Sequence, residues 1–136
     1  MKPNKVIYRK CTADSFFRDW VEFLAPFHKL TSRERDVAAR VIAQYVKLRQ
    51  SMPEPFDPAV LEEVLWSQTS RKDMRDSLGI SKEYFGMILS KLRDIGMIVD
   101  GGVDSRYLPS LTGEPRNMLC IIFDWSSSVN PIKRNG

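Results

Sequence analysis

The sequence predicts a mainly helical α+β chain, and three observations carry that expectation. Apolar residues recur at helical spacing between Phe16 and Leu48, behind residues suited to cap helices. Two further amphipathic segments meet at Gly79 in "SRKDMRDSLGISKEYFGMILSKLRDIG". Directly after them, "MIVDGGVDSRYL" sets two strand-like arms around paired glycines, both of which can adopt positive φ in a tight hairpin. A C-terminal strand and extended terminal arms complete the expected fold. The expected division is an N-terminal arm with a short strand over 1–12, a single domain over 13–125 and a C-terminal tail over 126–136.

In chain order, Lys5 to Tyr8 suggest the short strand of the N-terminal arm. "SFFRDWVEFLAPF" follows as an aromatic helix with Phe16, Trp20, Phe23 and Leu24 at helical spacing, closed by Pro26. Thr31 and Glu34 have the spacing of a capping box, in which each side chain satisfies the other residue's amide. Behind them Val37, Ala38, Val41, Ile42, Tyr45 and Leu48 recur on one helical face. Pro53, Pro55 and Pro58 make "SMPEPFDP" a loop, with a helix starting near Pro58 and carrying Val60, Leu61, Val64 and Leu65. Strong apolar patterns on both sides keep that loop inside one domain. Ser70 can cap the next helix with Asp73 at its third position, and Met74 and Leu78 point inward. Gly79 supplies the turn, Ile80 plugs the core and Ser81 caps the helix whose buried stripe is Phe85, Ile88, Leu89, Leu92 and Ile95. Its outer face is left to Lys82, Glu83, Met87, Ser90, Lys91 and Asp94. "MLCIIFDW" reads as a strand, and "SSSVNPIKRNG" as a polar tail.

This order of helix, turn, helix, glycine and hairpin resembles the winged helix-turn-helix family. The likeness covers the whole folded part if the helix capped at Thr31 is counted as its first. In members that bind DNA, the second helix of the motif enters the major groove. By position, the resemblance implies base contacts from Ser81, Lys82, Tyr84, Met87 and Lys91. It implies phosphate contacts from Arg71, Lys72 and Arg75, with Arg106 on the wing. Against this, the recognition face includes Glu83 and Asp94, lacks any Arg, Asn or Gln before Arg93, and carries Gly86 mid-helix, which weakens a helix by roughly 1 kcal/mol. Glu can accept from cytosine, so the acid does not exclude base reading. The charges also fit an ordinary solvated face.

Other chemistry is sparse. The 136 residues carry a formal net charge of +4, which permits a nucleic-acid partner without requiring one. Part of the excess sits in the tail at Lys133 and Arg134. Cys11 and Cys120 lie too far apart in sequence for the paired spacing of a zinc site and are expected to be reduced, buried thiols. His28 has no metal-ligand partner at suitable spacing and is expected to complete a loop after Pro26. Glu62 and Glu63 are neighbours, which on a helix point apart and make a poor acid/base pair. There is no glycine-rich phosphate loop and no nucleophile elbow. The chain is therefore expected to be non-enzymatic, with no metal, cofactor or small-molecule substrate. No apolar run approaches the roughly 18 residues of a membrane span, so a protein that is soluble and intracellular, or carried in a soluble assembly, is expected. The aromatic cluster of Phe16, Phe17, Trp20, Phe23 and Phe27 is either core or a partner-binding stripe. Since Phe16 and Phe17 are adjacent, they are not expected to face inward together.

Taken as a set, "FFRDWVEFLAPFHKLTSRERDVAARVIAQYVKL", "TSRKDMRDSLGIS", "LRDIGMIVDGGVDSRYLPSL" and "LCIIFDW" are similar to small conserved proteins of crAss-like tailed phages of gut Bacteroidetes. That resemblance implies a non-enzymatic adaptor in the capsid or head-tail connector of a virion. Its partners would be other virion proteins and further copies of itself, with nucleic acid binding weak and no membrane. Residues of the arms, Ile7, Tyr8, Ile132, Lys133 and Arg134, would then lie on neighbouring subunits, and the protein would be found in the virion or, during assembly, in the host cytoplasm. The alternative is a DNA-binding transcription regulator of the bacterial cytoplasm.

Overall fold

A computed structural model describes residues 11, 12 and 15–109. The order of elements is α1 (Phe16–Phe23), α2 (Ala25–His28), α3 (Ser32–Ser51), α4 (Pro58–Leu65), α5 (Gln68–Leu78) and α6 (Lys82–Asp94). They are followed by β1 (Ile98–Val99), β2 (Gly102–Val103) and a 3-10 turn over Ser105–Tyr107. The described chain is thus mainly helical with one small antiparallel sheet. The expected strands at Lys5 to Tyr8 and in "MLCIIFDW", Cys120, residues 1–10 of the N-terminal arm, the C-terminal arm and the expected limits of the domain lie outside the described residues.

The longest helix, α3, starts where its sequence demands. The Thr31 hydroxyl accepts from the Glu34 amide, and the Glu34 carboxylate accepts from the Thr31 amide at 2.9 Å. Both halves of the capping box therefore form. Val37, Ala38, Val41 and Ile42 are buried from this helix, which packs against α1, α4, α5 and α6. From α1 come Trp20 and Val21, and from α6 Phe85, Ile88, Leu89 and Leu92. Each Val, Ile, Leu and Phe side chain among them contributes about 1.5–3 kcal/mol by leaving water.

Arginine side chains tie the N-terminal half of α3 to its neighbours. Arg18 of α1 bonds Asp36 at 2.7 Å and pairs with Glu22, while Arg35 reaches Glu22 at 2.9 Å. Arg33 donates to the Leu78 carbonyl at 2.7 Å, satisfying a group at the end of α5.

Several expectations change in detail. Pro26 does not end α1, which stops at Phe23; it sits in the first turn of α2, where its missing N–H costs nothing. Phe16 and Phe17 both pack at the margin of the core, their rings edge to face at 5.1 Å, so neither is forced outward. Phe23 and Phe27 remain exposed. Of the apolar residues of α4, only Leu61 and Leu65 are buried, Val60 and Val64 facing outward. Leu78 and Ile95 are half-buried rather than fully enclosed. Cys11 is exposed, not buried.

Two corrections concern local chemistry. The cap of α5 is Ser67, whose hydroxyl accepts from the Ser70 amide at 3.2 Å. Ser70 lies one turn inside the helix and is buried against α3, where it accepts from Gln44. The hairpin register is also shifted by one residue. Val99 pairs with Gly102, so the two-residue loop is Asp100-Gly101, with φ of 51° and 83°. Asp tolerates the left-handed region well enough to occupy the first loop position, which releases Gly102 into β2.

His28 is buried and fully engaged. Its Nδ1 accepts from the Leu30 amide at 2.9 Å, leaving Nε2 to donate to the Val21 carbonyl at 2.8 Å. It thereby staples α2 to α1, a structural use close to the expected loop role.

Candidate nucleic-acid interface

The α4–α5 junction brings an aromatic ring and several cations together. α4 ends at Leu65, Trp66 turns the chain, and Ser67 restarts it as α5. Successive turns of α5 then present Arg71, Lys72 and Arg75, while Gly79, at φ 65°, reverses the chain so that α6 begins nearby with Lys82. Trp66, Gln68, Arg71, Lys72, Arg75 and Lys82 line one open cleft of about 380 Å³.

The cations differ in how firmly they are held. Arg71 donates from Nε to the Trp66 carbonyl at 3.0 Å, and its guanidinium lies 5.4 Å from the centroid of the Trp66 ring. Lys72 pairs with Asp76 at 2.7 Å on an exposed surface, an i,i+4 contact of little strength in water. Arg75 and Lys82 form no ion pair among the described residues. The cleft therefore concentrates positive charge in a concave space suited to an anion.

The residues expected to touch bases fall into two groups. Lys82, Met87 and Lys91 are exposed on the outer face of α6 as expected, together with Glu83 and Asp94. Ser81 is exposed, and its hydroxyl accepts from the Tyr84 amide at 3.1 Å, which leaves its O–H able to donate outward. Tyr84 is half-buried, and its ring packs on the core. Gly86 has open space where a Cβ would be, so packing does not require it.

Arg106 departs from its expected place on the wing. It lies beyond the hairpin in the 3-10 turn, where Nε bonds Asp104 at 2.9 Å. That arginine holds the Asp104 carboxyl below its ordinary range. Arg106 also sits beside Gly96, past the far end of α6, roughly 20 Å along the helix from Lys82. The fold thus gathers Arg71, Lys72, Arg75 and Lys82 and leaves Arg106 apart. Trp66 and Gln68 were missed as cleft residues, because nothing in their own spacing marks a junction that tertiary packing creates.

Among the described residues, no group of three or more His, Cys, Asp or Glu side chains could hold a metal ion, and no helix is long and apolar enough to cross a membrane. Comparison of the chain with protein-family models, with curated proteins and with solved structures gives no match.

Proposed function

We propose that the described helices and hairpin form a non-enzymatic winged helix-turn-helix body that binds duplex DNA through α5, α6 and the hairpin. In this reading α6 approaches the major groove and the basic cleft takes the flanking phosphates. The supporting observation is the convergence of Arg71, Lys72, Arg75 and Lys82 beside the exposed face of α6. From Arg71 to Arg93 the sequence sets six basic residues against three acidic ones, a balance that gives no such preference; it is the placement of the cations that supports the reading. Lys82 would serve both surfaces, and Met87 offers an apolar contact for a thymine methyl.

The test is a titration of duplex DNA at several salt concentrations. Four phosphate contacts give a slope of about −3.6 in log K against log salt. Arg75→Ala combined with Lys82→Ala should flatten that slope by about 2, whereas Lys47→Ala, on an exposed part of α3, should leave it unchanged. Absence of binding, or a double variant indistinguishable from wild type, would sink the proposal.

A second reading is the tailed-phage virion adaptor, with α6 contacting protein instead of DNA. Glu83 and Asp94 beside the exposed Met87 favour it, since acids repel phosphates and a protruding methionine suits an apolar partner. Recovery of the protein from purified particles at fixed stoichiometry, with no duplex binding, would select this reading.

A further inference from the structure

Trp66 joins three features that lie apart in the sequence. Its indole Nε1 donates to the Gly101 carbonyl at 2.6 Å, which fastens the hairpin tip to the end of α4. Its own carbonyl accepts from Arg71, and its ring lies beside that guanidinium. The same ring lines the basic cleft. One turn earlier, Glu62 Oε1 comes within 3.1 Å of the place where a Cβ on Gly101 would stand, so the bare hairpin tip lets α4 approach closely.

We propose that Trp66 is a positioning residue for phosphate binding: it locks the hairpin onto α4 and holds Arg71 ready in the cleft, making hairpin placement and phosphate capture one event. The inference rests on the DNA-binding reading above. Each strand of the hairpin is only two residues long, and a pair that short has little stability of its own. Its position depends on the buried side chains of Ile98 and Val103 and on the Trp66 tether. Arg71, for its part, spends Nε on the Trp66 carbonyl while its terminal nitrogens have no partner among the described residues. A guanidinium already fixed in this way loses less freedom on meeting a phosphate.

Trp66→Phe keeps the aromatic face and removes the N–H. Three quantities are measured on the full chain: affinity for a mixed-sequence duplex, its salt dependence, and hydrogen exchange of the amides of residues 98–103 with and without the duplex. Affinity should fall about three- to tenfold, the effect of one lost hydrogen bond. The salt slope should stay the same, because no cation is removed. The hairpin amides should exchange faster in the free variant and gain no protection from the duplex. A variant equal to wild type in affinity and exchange overturns the inference and leaves the DNA reading standing, whereas wild-type protein that binds no duplex overturns both. Should Trp66→Phe fail to fold, Arg71→Lys serves instead, since it keeps the charge but loses the guanidinium Nε. The same loss at an unchanged slope, with hairpin amides 98–103 that gain no protection from the duplex, supports the coupling, and unchanged affinity or retained protection refutes it.

Discussion

The side-chain amide of Gln44 donates to the hydroxyl of Ser70 at 3.2 Å, joining α3 to α5 inside the core. Both residues are buried, so neither group can turn to water when its partner is lost. Ser70→Ala should destabilise the protein by about 1–3 kcal/mol by leaving the Gln44 amide unsatisfied, measured by urea unfolding. Ser67→Ala should cost about 1 kcal/mol as a lost helix cap. If Ser70→Ala proved harmless and Ser67→Ala costly, the buried pair would carry no weight in stability.

Leu89 is 1% exposed at the centre of the α6 stripe. Leu89→Ala should cost about 2–5 kcal/mol through the cavity it opens. Met87→Ala on the opposite, exposed face should change stability by less than about 0.5 kcal/mol. Equal effects from the two, read from denaturant midpoints, would contradict the assignment of faces.

The hairpin register predicts an asymmetry between adjacent glycines. Gly101 has φ of 83°, so Gly101→Ala should cost about 1–2 kcal/mol in backbone strain. Gly102 lies in β2 without such a φ, and an added Cβ would meet only the end of the Glu62 side chain at 3.3 Å. Gly102→Ala should therefore cost clearly less than Gly101→Ala. Equal melting temperatures for the two would argue for a different loop.

Acid should weaken the contact between α1 and α3 in a defined direction. Glu22 has its pKa held below the ordinary 4.5 by hydrogen bonding to Arg18 first, then to Arg35, against a desolvation effect that opposes the shift. A lowered folded-state pKa means stability that is present above the unfolded value and lost as pH falls through the folded one. The wild-type melting temperature should thus fall below about pH 4.5, and Glu22→Gln should show a shallower fall over that range. The carboxylate is 44% exposed, so the effect should shrink further in high salt. A steeper fall in the variant would refute the assignment.

How far the sequence can be read depends on the range of the interaction. The Thr31–Glu34 box and the α6 stripe were legible because their chemistry is local: partners sit three or four residues apart, and one period fixes both. Ser67 and Ser70 stand one helical turn apart and either could cap. The choice falls to Ser67 because Ser70 finds Gln44, a partner 26 positions away. Asp100-Gly101 prevailed over Gly101-Gly102 as the hairpin loop through pairing that puts Ile98 and Val103 on the buried side. The cations of the cleft were all visible in the sequence, but their convergence on Trp66 follows from how α4 meets α5. Arg106 was assigned to the hairpin by its sequence neighbours, while the Asp104 carboxylate draws it into the following turn.

The central position of α3 sets a limit on modular use of the protein. It closes the core on the side of α1, α4, α5 and α6 alike, so the segment from Pro58 to Tyr107 has no complete interior of its own. Cutting the chain in the proline-containing loop would uncover Met74 and Leu89 and strand the Ser70 hydroxyl. The portion that carries the basic cleft is thus not a cassette that can be lifted into another protein; any graft that keeps its shape must bring α3 with it.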